Sequence, residues 1–231
     1  MLLDLHQICN KYSFKPKGVI HVGAHLAEEF PLYNSLGINN VIWIEGNEKI
    51  FNQINNNLKT IPGQIPLLAI VSDEDGKEFK FNISDNGKND QFSTHASSIL
   101  EPGKHLDHYP HVTFKETETV TSITLDTLLS DNNIDTSLYD FINLDIQGAE
   151  LLALQGFKKG LPNINYVYLE VNEVEIYKGC PLIGDIDDFL KNLGFERTET
   201  HMTVQEWGDA FYIRKELIPQ IQTNPYNSIF N

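Results

Sequence analysis

The stretch Gly18-Val-Ile-His-Val-Gly-Ala-His-Leu-Ala-Glu28 decides the fold. Its first part, Gly18 to Gly23, is a short apolar run that ends in glycine and is typical of a buried strand. The small residues that follow are typical of a tight turn into a helix, because they let a backbone or a ligand approach closely. From about Glu28 to Leu36 the apolar residues have helical spacing, and Gly37 is a suitable C-terminal cap. The stretch therefore predicts a strand, a close turn and a helix.

The same alternation continues along the chain. Apolar runs predict further strands at residues 41–44, 65–71, 139–145, 164–171, 195–200 and 210–213. Helical spacing predicts helices at 48–58, 125–129, 149–155 and 183–193. Alternating polar and apolar residues add strands at 77–83 and 113–123, and the polar stretch 84–110 is predicted as a long loop with a functional role or high mobility. Short connections between alternating elements predict an α/β fold with a doubly wound parallel sheet.

Composition and charge exclude several classes of protein. The chain has 231 residues with 17 basic and 32 acidic side chains, which give a formal net charge of −15. Such an acidic chain lacks the electrostatic footprint of a nucleic-acid-binding protein and is disfavoured at an anionic membrane. It has no apolar run of bilayer-spanning length, and two cysteines are too few for a disulfide framework. We therefore expect neither nucleic acid nor membrane as a partner.

The organisation predicted from the sequence is a single domain over residues 1–231. Its core is expected at about 18–214, with an N-terminal extension at 1–17 and a C-terminal tail at 215–231. The first residues lack the basic region and the cleavage site of a signal peptide. We therefore expect a cytoplasmic protein.

An acidic residue, Glu45, follows the second predicted strand, about 20 residues beyond the first turn. A carboxylate at that distance is placed to accept hydrogen bonds from ribose hydroxyls, so the turn and the acid together predict a nucleoside-containing cofactor. The G-x-G-x-x-G pattern of dinucleotide sites is incomplete, and Glu28 and Glu29 would repel a pyrophosphate. S-adenosylmethionine carries a sulfonium and an ammonium group, which tolerate these acids. The residues therefore favour S-adenosylmethionine over NAD.

Two more acids, Asp145 and Glu170, lie at the ends of later predicted strands. Ligands bind at the carboxyl ends of the strands in such sheets, and neighbouring carboxylates raise each other's pKa, which suits a general base. Asp145 is predicted to position the amino group of the cofactor, to bind a metal or to accept a proton from a substrate hydroxyl. Hard oxygen ligands suit Mg²⁺, which this pair of acids is a candidate to hold. The alternative for each acid is a purely structural role as a helix or turn cap.

Six short motifs resemble those of the FkbM-type methyltransferases, a family with the class I S-adenosylmethionine-dependent fold. They are Val22-Gly-Ala-His25-x-x-Glu28, Ile44-Glu45, Ala69-x-x-Ser72-Asp73, Ser97-Ser98-Ile99, Thr124-Leu-Asp126-Thr-Leu128 and Leu144-Asp145-x-x-Gly148-Ala-Glu150-x-x-x-Leu154-x-Gly156. The resemblance spans roughly residues 18–214. It implies a Rossmann-like, seven-stranded, mostly parallel sheet with an antiparallel last strand. It also implies methyl transfer, usually to a hydroxyl oxygen of a sugar or of a natural-product ring.

The resemblance implies roles for particular residues. The residues expected on the methionine side of the cofactor are Gly23, His25 and Glu28, with Ala24 beside them. Those expected near the ribose and the adenine are Glu45, Asn47, Ser72 and Asp73, and Asp145 is expected near the reacting methyl group. Three positions depart from the family pattern, with Ala27 in place of a frequent Gly, Asn143 in place of a frequent Lys and Gln147 in place of a frequent Glu. The last two leave open which role Asp145 has.

Three histidines in the predicted loop, His105, His108 and His111, are spaced by three residues. This spacing is compatible with a zinc site, but Tyr109-Pro110 interrupts any helix that would align the rings, and no thiolate joins them. A solvated loop is therefore the favoured interpretation of the histidines.

The acceptor side is predicted from the same loop. Ser97, Ser98 and Tyr109 are the residues expected to form a lid, and their polar character suits a carbohydrate. His201, just before the stretch that begins at Trp207, is a further candidate base, although a lone histidine is more often structural.

Three functions follow from these observations. The first is an S-adenosylmethionine-dependent O-methyltransferase that acts on a hydroxyl of a sugar, a glycan or a related small molecule. The second is an NAD-type oxidoreductase on a similar sheet, and the third is a non-catalytic cofactor-binding module. The absence of a G-x-S-x-G elbow, a Walker A loop and an H-E-x-x-H motif disfavours hydrolases, NTPases and zincins.

Overall fold

The computed structural model describes residues 1–88 and 94–218. The strands in this part of the chain are β1 (Val19–Val22), β2 (Val41–Glu45), β3 (Gln64–Leu68), β4 (Ile70–Val71), β5 (Glu78–Asp85), β6 (Thr113–Ile123), β7 (Phe141–Leu144), β8 (Tyr166–Asn172), β9 (Phe195–Met202) and β10 (Trp207–Arg214). The α-helices are α1 (Leu5–Tyr12), α2 (Phe30–Ser35), α3 (Glu48–Leu58), α4 (His105–His108), α5 (Leu125–Asp131), α6 (Glu150–Gln155) and α7 (Ile183–Asn192). Strands and helices thus alternate along most of the chain, as the sequence predicts.

The central sheet has seven strands in the order β3-β2-β1-β7-β8-β10-β9. The strands from β3 to β8 in this order are parallel, and β10 runs antiparallel to both of its neighbours. The order reverses between β1 and β7, so the carboxyl ends of these strands flank a switch point where ligands bind in such folds. The predicted doubly wound, mostly parallel sheet with an antiparallel last strand is confirmed.

Both faces of the sheet are covered, which explains why its inner strands are predominantly apolar. Every residue of β1, β2, β7 and β8 is buried. On one face Ile20 and Ile142 pack in a core with α5, α6 and α7, and on the other face Val19 and Phe141 pack with α1, α2 and α3. Residues 5–12, which the sequence places in an extension, therefore supply one of the covering helices.

The predicted strand at 65–71 is wrong as a single element, because it divides at Ala69 between two sheets. β3 pairs with β2 in the central sheet, whereas β4 pairs with β6 in a three-stranded sheet of order β4-β6-β5. The backbone N–H of Ala69 donates to the carbonyl oxygen of Glu45 (3.0 Å), and that of Ser72 already donates to the carbonyl oxygen of Ile123 (3.1 Å). The sequence stays apolar across Ala69, but the strand to which its backbone is hydrogen-bonded changes from β2 to β6. The two alternating strands predicted at 77–83 and 113–123 form the rest of the second sheet.

The prediction of one irregular loop at 84–110 is also partly wrong. This segment contains α4 and two isolated bridges, Asn82 to Ser98 and Pro102 to Tyr177. The N–H groups of Gly103 and His105 both donate to the carbonyl oxygen of Ile176, at 2.9 and 3.0 Å. A distant segment therefore satisfies the backbone of this stretch, which local sequence patterns do not reveal. Residues 89–93 of the predicted loop, and 219–231 of the predicted tail, lie outside the described residues.

Two smaller expectations concern the cysteines and the membrane. Cys9 and Cys180 are both free and buried, in agreement with the expected lack of a disulfide framework. In the ranges 1–88 and 94–218, we find no helix with the length and apolar character needed to cross a bilayer.

Candidate active site

A cavity of about 490 Å³ opens at the carboxyl ends of the parallel strands, next to the switch point. This volume is in the range of small-molecule sites. Most of the predicted site residues line it, namely Gly23, Ala24, His25, Glu28, Glu45, Asn47, Asp145 and Glu170, and so do Ser97, Ser98 and Tyr109 of the predicted lid. Ser72, Asp73 and His201 are not among the lining residues. Sequence reasoning thus located the cavity correctly, but not every member of its wall.

The three predicted residues outside the cavity have other contacts. Ser72 is fully buried behind the wall, where its hydroxyl donates to the Asp73 carboxylate (2.8 Å). The chain reaches the cavity just before this point, through residues 69–71. His201 is exposed on β9, where it is paired with Asp209 of β10. We therefore do not carry His201 forward as a base.

The turn after β1 approaches the end of β7 very closely. Gly23 has a φ of +85°, and a Cβ at this position would overlap the backbone carbonyl of Asp145. His25 and Ala27 also have left-handed backbone conformations, with φ of 40° and 59°. Such conformations cost roughly 1–2 kcal/mol for an L-residue and are concentrated at functional sites. The position of Ala27, where the family often has glycine, is therefore one that favours glycine for a backbone reason.

Glu45 ties the end of β2 to this turn. Its two carboxylate oxygens accept hydrogen bonds from the backbone N–H groups of His25 (2.8 Å) and Asn47 (2.7 Å). The side chain of Asn47 in turn caps α3 by accepting from the N–H groups of Lys49 and Ile50. Burial raises the pKa of Glu45, and the two backbone hydrogen bonds oppose that shift. Glu45 thus lies at the cavity wall in a fixed orientation.

Asp145 and Glu170 are joined by an amide. Nε2 of Gln147 donates to Asp145 (2.7 Å) and to Glu170 (2.9 Å), and the hydroxyl of Tyr177 donates to Oε1 of Gln147 (2.9 Å). The Tyr177 hydroxyl lies equally close to the carbonyl oxygen of Ala96 (2.9 Å) and has only one proton, so the two carboxylates are the main groups that orient the amide. The position between the two carboxylates holds an N–H donor, so the geometry does not support the Mg²⁺ site predicted for this pair.

The two carboxylates differ in their access to the cavity. Glu170 is only 6% exposed, and burial together with the nearby charges of Asp145 and Glu150 raises its pKa well above the usual range. Asp145 is surrounded by protein but its side chain is open to the cavity. Burial and the charge of Asp209 raise the pKa of Asp145, whereas the hydrogen bond from Gln147 lowers it. Of the pair, Asp145 is thus the carboxylate that a ligand can reach.

Asn143, which departs from the family pattern, belongs to a neutral network below the cavity floor. Its side-chain amide donates to the hydroxyl of Tyr33 (2.9 Å), which also contacts Nδ1 of His21 (3.2 Å). Burial lowers the pKa of His21 to about 4, so this ring is neutral at pH 7. A buried lysine at position 143 would have no counter-charge in this network.

The outer wall of the cavity is aromatic. Nε1 of Trp207 donates to the hydroxyl of Tyr109 (2.8 Å), and the His105 ring lies between the rings of Tyr109 and Tyr177, with centroids 5.0 and 5.5 Å away. His105 is buried, and its Nδ1 has no hydrogen-bond partner among the described residues. Burial lowers the pKa of His105 to about 4. The prediction of a solvated loop is therefore wrong for His105, although His111 is exposed.

Several of these residues were missed from the sequence. Gln147 lies two positions after Asp145 in a tight strand-to-helix turn, so its contact with that acid could have been predicted from the spacing. His95 lines the cavity and the buried Tyr177 contacts Gln147, each from a distant segment, and no local pattern marks them. The described residues contain one group of three side chains arranged as metal ligands, His25, Glu28 and His95. Burial raises the pKa of Glu28, but hydrogen bonds from the two histidines outweigh this and lower it.

Glu150, at the start of α6, provides a test of the electrostatics. It is fully buried, its Oε1 accepts from the N–H groups of Ile146 and Gly148, and its Oε2 has no partner among the described residues. Burial raises its pKa to about 7. Between about pH 4.5 and 7 the unfolded chain therefore loses this proton while the folded chain keeps it, so stability falls as pH rises through that window.

Glu150→Gln keeps an acceptor oxygen and removes the ionisation. We expect the variant to be more stable than the wild type at pH 8, by up to about 3 kcal/mol, and to show no gain at pH 4. Urea unfolding at the two pH values measures the difference, which includes the release of Glu170 from the charge of Glu150. An equal difference at both pH values would contradict the raised pKa.

The chain is similar to proteins of known family. Residues 21–197 match the family model described as the methyltransferase FkbM domain. A 2-O-methyltransferase, NoeI of Sinorhizobium fredii, is 33% identical over 119 residues, which are 51% of this chain and 47% of NoeI. The match thus spans about half the length of this curated relative.

Solved structures similar to this chain include a protein of the NADB-Rossmann superfamily from Streptococcus agalactiae, at 13% identity over 93% of this chain and 69% of that chain, with a TM-score of 0.47. A SAM-dependent methyltransferase from Aquifex aeolicus is 12% identical over 92% of this chain and 90% of that chain, with a TM-score of 0.44. Likeness at this level concerns the fold alone. Because the family model matches more than half of the chain, the predicted resemblance is confirmed, and the chain belongs to the FkbM methyltransferase family.

Proposed function

We propose that the chain acts as one domain that transfers a methyl group from S-adenosylmethionine to a hydroxyl oxygen of a sugar or a related small molecule. The observation that carries this proposal is the Asp145 carboxylate, which is open to the cavity, oriented by Gln147 and raised in pKa. A carboxylate of this kind suits a general base for a hydroxyl group. We further propose that the chain works in the cytoplasm on an acceptor that is not a nucleic acid.

Two observations support a fit between the cavity and S-adenosylmethionine. The missing Cβ at Gly23 lets the turn after β1 pack against the end of β7, which brings this turn and Asp145 to the same cavity. The carboxylates of Glu28, Glu45 and Asp145 line the same wall and present negative charge to an ammonium and a sulfonium group. In this proposal Glu28 and His25 lie at the methionine end and Glu45 at the ribose. Ala24 and Asn47 complete the wall, and Ser72 and Asp73 act indirectly, through the backbone at 69–71.

The bound cofactor would supply a methyl group already activated by the positive sulfur. Transfer would form the bond between the acceptor oxygen and the methyl carbon as the carbon–sulfur bond breaks, with that electron pair left on sulfur. The hydroxyl proton goes to the carboxylate of Asp145. Glu170, buried behind Gln147 and raised in pKa, keeps its own proton and therefore adds no second charge beside the base. The protein otherwise aligns the acceptor and excludes water.

Binding of the cofactor is tested with Glu45→Gln. The substitution keeps one acceptor oxygen for the turn but removes the charge and one ribose-facing acceptor, so we expect S-adenosylhomocysteine to bind about 10- to 100-fold more weakly. Titration calorimetry with the wild type and the variant measures the change, and thermal unfolding checks that both proteins are folded. NAD is titrated in parallel. A preference for NAD, or equal affinity of both proteins for S-adenosylhomocysteine, would contradict the assignment.

The aromatic wall of the cavity is the part that we assign to the acceptor. The rings of Trp207 and Tyr109 and the His105 ring offer flat apolar faces beside polar hydroxyl and imidazole groups. Such a mixture suits a sugar ring, which has apolar faces and a polar rim. The similarity to NoeI, a 2-O-methyltransferase, supports the same class of acceptor.

The acceptor class is tested by methyl transfer from labelled S-adenosylmethionine to a panel of mono- and oligosaccharides, with single-stranded RNA as a comparison. For an accepted sugar we expect Trp207→Ala to raise KM about 10-fold or more, with S-adenosylhomocysteine binding unchanged. Transfer to RNA alone would overturn the acceptor class. Cofactor binding without transfer to any acceptor would favour a binding module.

A further inference from the structure

Three side chains at the rim of the cavity converge on one point. Nδ1 of His25 lies 2.8 Å from Oε1 of Glu28, and Nε2 of His95 lies 3.4 Å from the same oxygen. The three atoms all lie within 4.8 Å of one another. In a tetrahedral zinc site, bonds of about 2.0–2.2 Å place neighbouring ligand atoms about 3.3 Å apart. The observed separations therefore bracket the spacing that a bound zinc ion requires.

The groups that orient these ligands are also present. The second oxygen of Glu28, Oε2, accepts from the backbone N–H of Leu26 (3.1 Å), which leaves Oε1 directed at the two imidazoles. Nε2 of His25 lies 3.1 Å from the hydroxyl of Thr94. A hydroxyl both donates and accepts hydrogen bonds, so Thr94 can accept a hydrogen bond from the Nε2–H group when Nδ1 binds a metal. Histidine ligands of metals usually have such a partner on their other nitrogen.

The backbone holds His25 in place at a local cost. Its φ of 40° is in the left-handed region, which is unfavourable for a residue with a Cβ. The His95 ring stands nearly perpendicular to the His25 ring, with centroids 4.0 Å apart and an interplanar angle of 83°. Two imidazoles and a carboxylate from two separate segments are thus brought together at the edge of a solvent-accessible cavity.

We propose that His25, Glu28 and His95 bind a Zn²⁺ ion. Two imidazole nitrogens and one carboxylate oxygen form a three-ligand set of the kind that zinc uses when its fourth position stays open to water or to a ligand. That open position faces the cavity, since all three residues line it. The site is distinct from the Asp145–Glu170 pair, but it shares His25 and Glu28 with the methionine end proposed for S-adenosylmethionine, so zinc and the cofactor ammonium group would compete for Glu28. Zinc binding in the absence of cofactor does not depend on methyl transfer.

The test uses the untagged full chain after treatment with a chelator, without cofactor or acceptor. Calorimetric titration with ZnCl₂ is expected to give one site per chain. Titration with Co²⁺ is expected to give the visible absorption bands of a tetrahedral complex. His95→Ala and Glu28→Gln are each expected to weaken metal binding about 10-fold or more. His111→Ala, which removes an exposed histidine outside the group, is the matched control and is expected to bind as the wild type does.

Because His95 is exposed, its truncation is expected to leave the chain folded, and thermal unfolding checks this. Equal affinities for the wild type and the His95→Ala variant would overturn the proposal, and so would the absence of a stoichiometric site in the wild type. Since neither titration contains a methyl donor, a failure here is distinct from a failure of the proposed function, which the S-adenosylhomocysteine titration tests separately.

Discussion

Replacement of Gly23 by alanine is expected to abolish cofactor binding. Among glycine-to-alanine substitutions at this site, it is also expected to reduce stability the most. The new Cβ would overlap the carbonyl oxygen of Asp145. This oxygen belongs to the backbone, so no change of side-chain rotamer can relieve the overlap. A left-handed φ of +85° adds about 1–2 kcal/mol, and overpacking against the backbone about 1–3 kcal/mol more. We expect the free energy of unfolding to fall by about 2–5 kcal/mol, measured by urea denaturation.

The control for this experiment is Gly76→Ala. Gly76 has a similar φ of +78°, but a Cβ there meets nothing within 4 Å. The control therefore has the conformational cost, about 1–2 kcal/mol, without the overlap. If both variants lost the same free energy of unfolding, the close approach of the β1 turn to the end of β7 would be wrong.

Asp145→Asn is expected to have the largest effect on catalysis. The amide keeps the size of the side chain but cannot accept the proton, so kcat should fall about 10²- to 10⁴-fold. S-adenosylhomocysteine affinity separates the two roles that the sequence leaves open. An unchanged affinity is expected for a base, whereas a loss of affinity as large as the loss of kcat would assign Asp145 to cofactor binding.

The pH profile gives an independent readout of the same residue. A base must be ionised, and burial and Asp209 raise the pKa of Asp145 above its ordinary value. In the wild type kcat/KM is therefore expected to fall as pH decreases through that raised pKa, and the variant is expected to lack this limb. Glu173→Gln, which neutralises an exposed acid that does not line the cavity, is the matched control and should keep the wild-type profile.

Much of the fold was predictable because burial leaves a direct trace in the sequence. β1, β2, β7 and β8 are covered on both faces, and each is predominantly apolar. The division at Ala69 was not predictable in this way, since the run remains apolar while its hydrogen-bond partner changes from β2 to β6. The helix α4 was missed because contacts with a segment about 70 residues away stabilise it.

The residues of the candidate site fall into the same two groups, those that local sequence predicts and those that it does not. Glu45 and Asp145 directly end or follow apolar strands, so the rule that ligands bind at strand ends located them. Gln147, Tyr177 and His95 depend on which loops meet above the sheet, and a single sequence does not specify that meeting. His201 is the opposite case, because it is near Trp207 in sequence and opposite Asp209 in the sheet, yet it is exposed and does not line the cavity.

The contacts between α4 and the segment after β8 have a consequence for attempts to change the acceptor by grafting. Gly103 and His105 donate to Ile176, the N–H of Lys178 donates to the carbonyl oxygen of Glu101 (2.8 Å), and the side chains of these last two residues form an ion pair (3.0 Å). A transplanted α4 loop would lose these partners unless residues 174–180 were transplanted with it. The cofactor half, built from β1 to β4, makes none of these particular bonds. Acceptor preference should therefore be exchangeable between relatives as a two-segment cassette, with cofactor affinity retained.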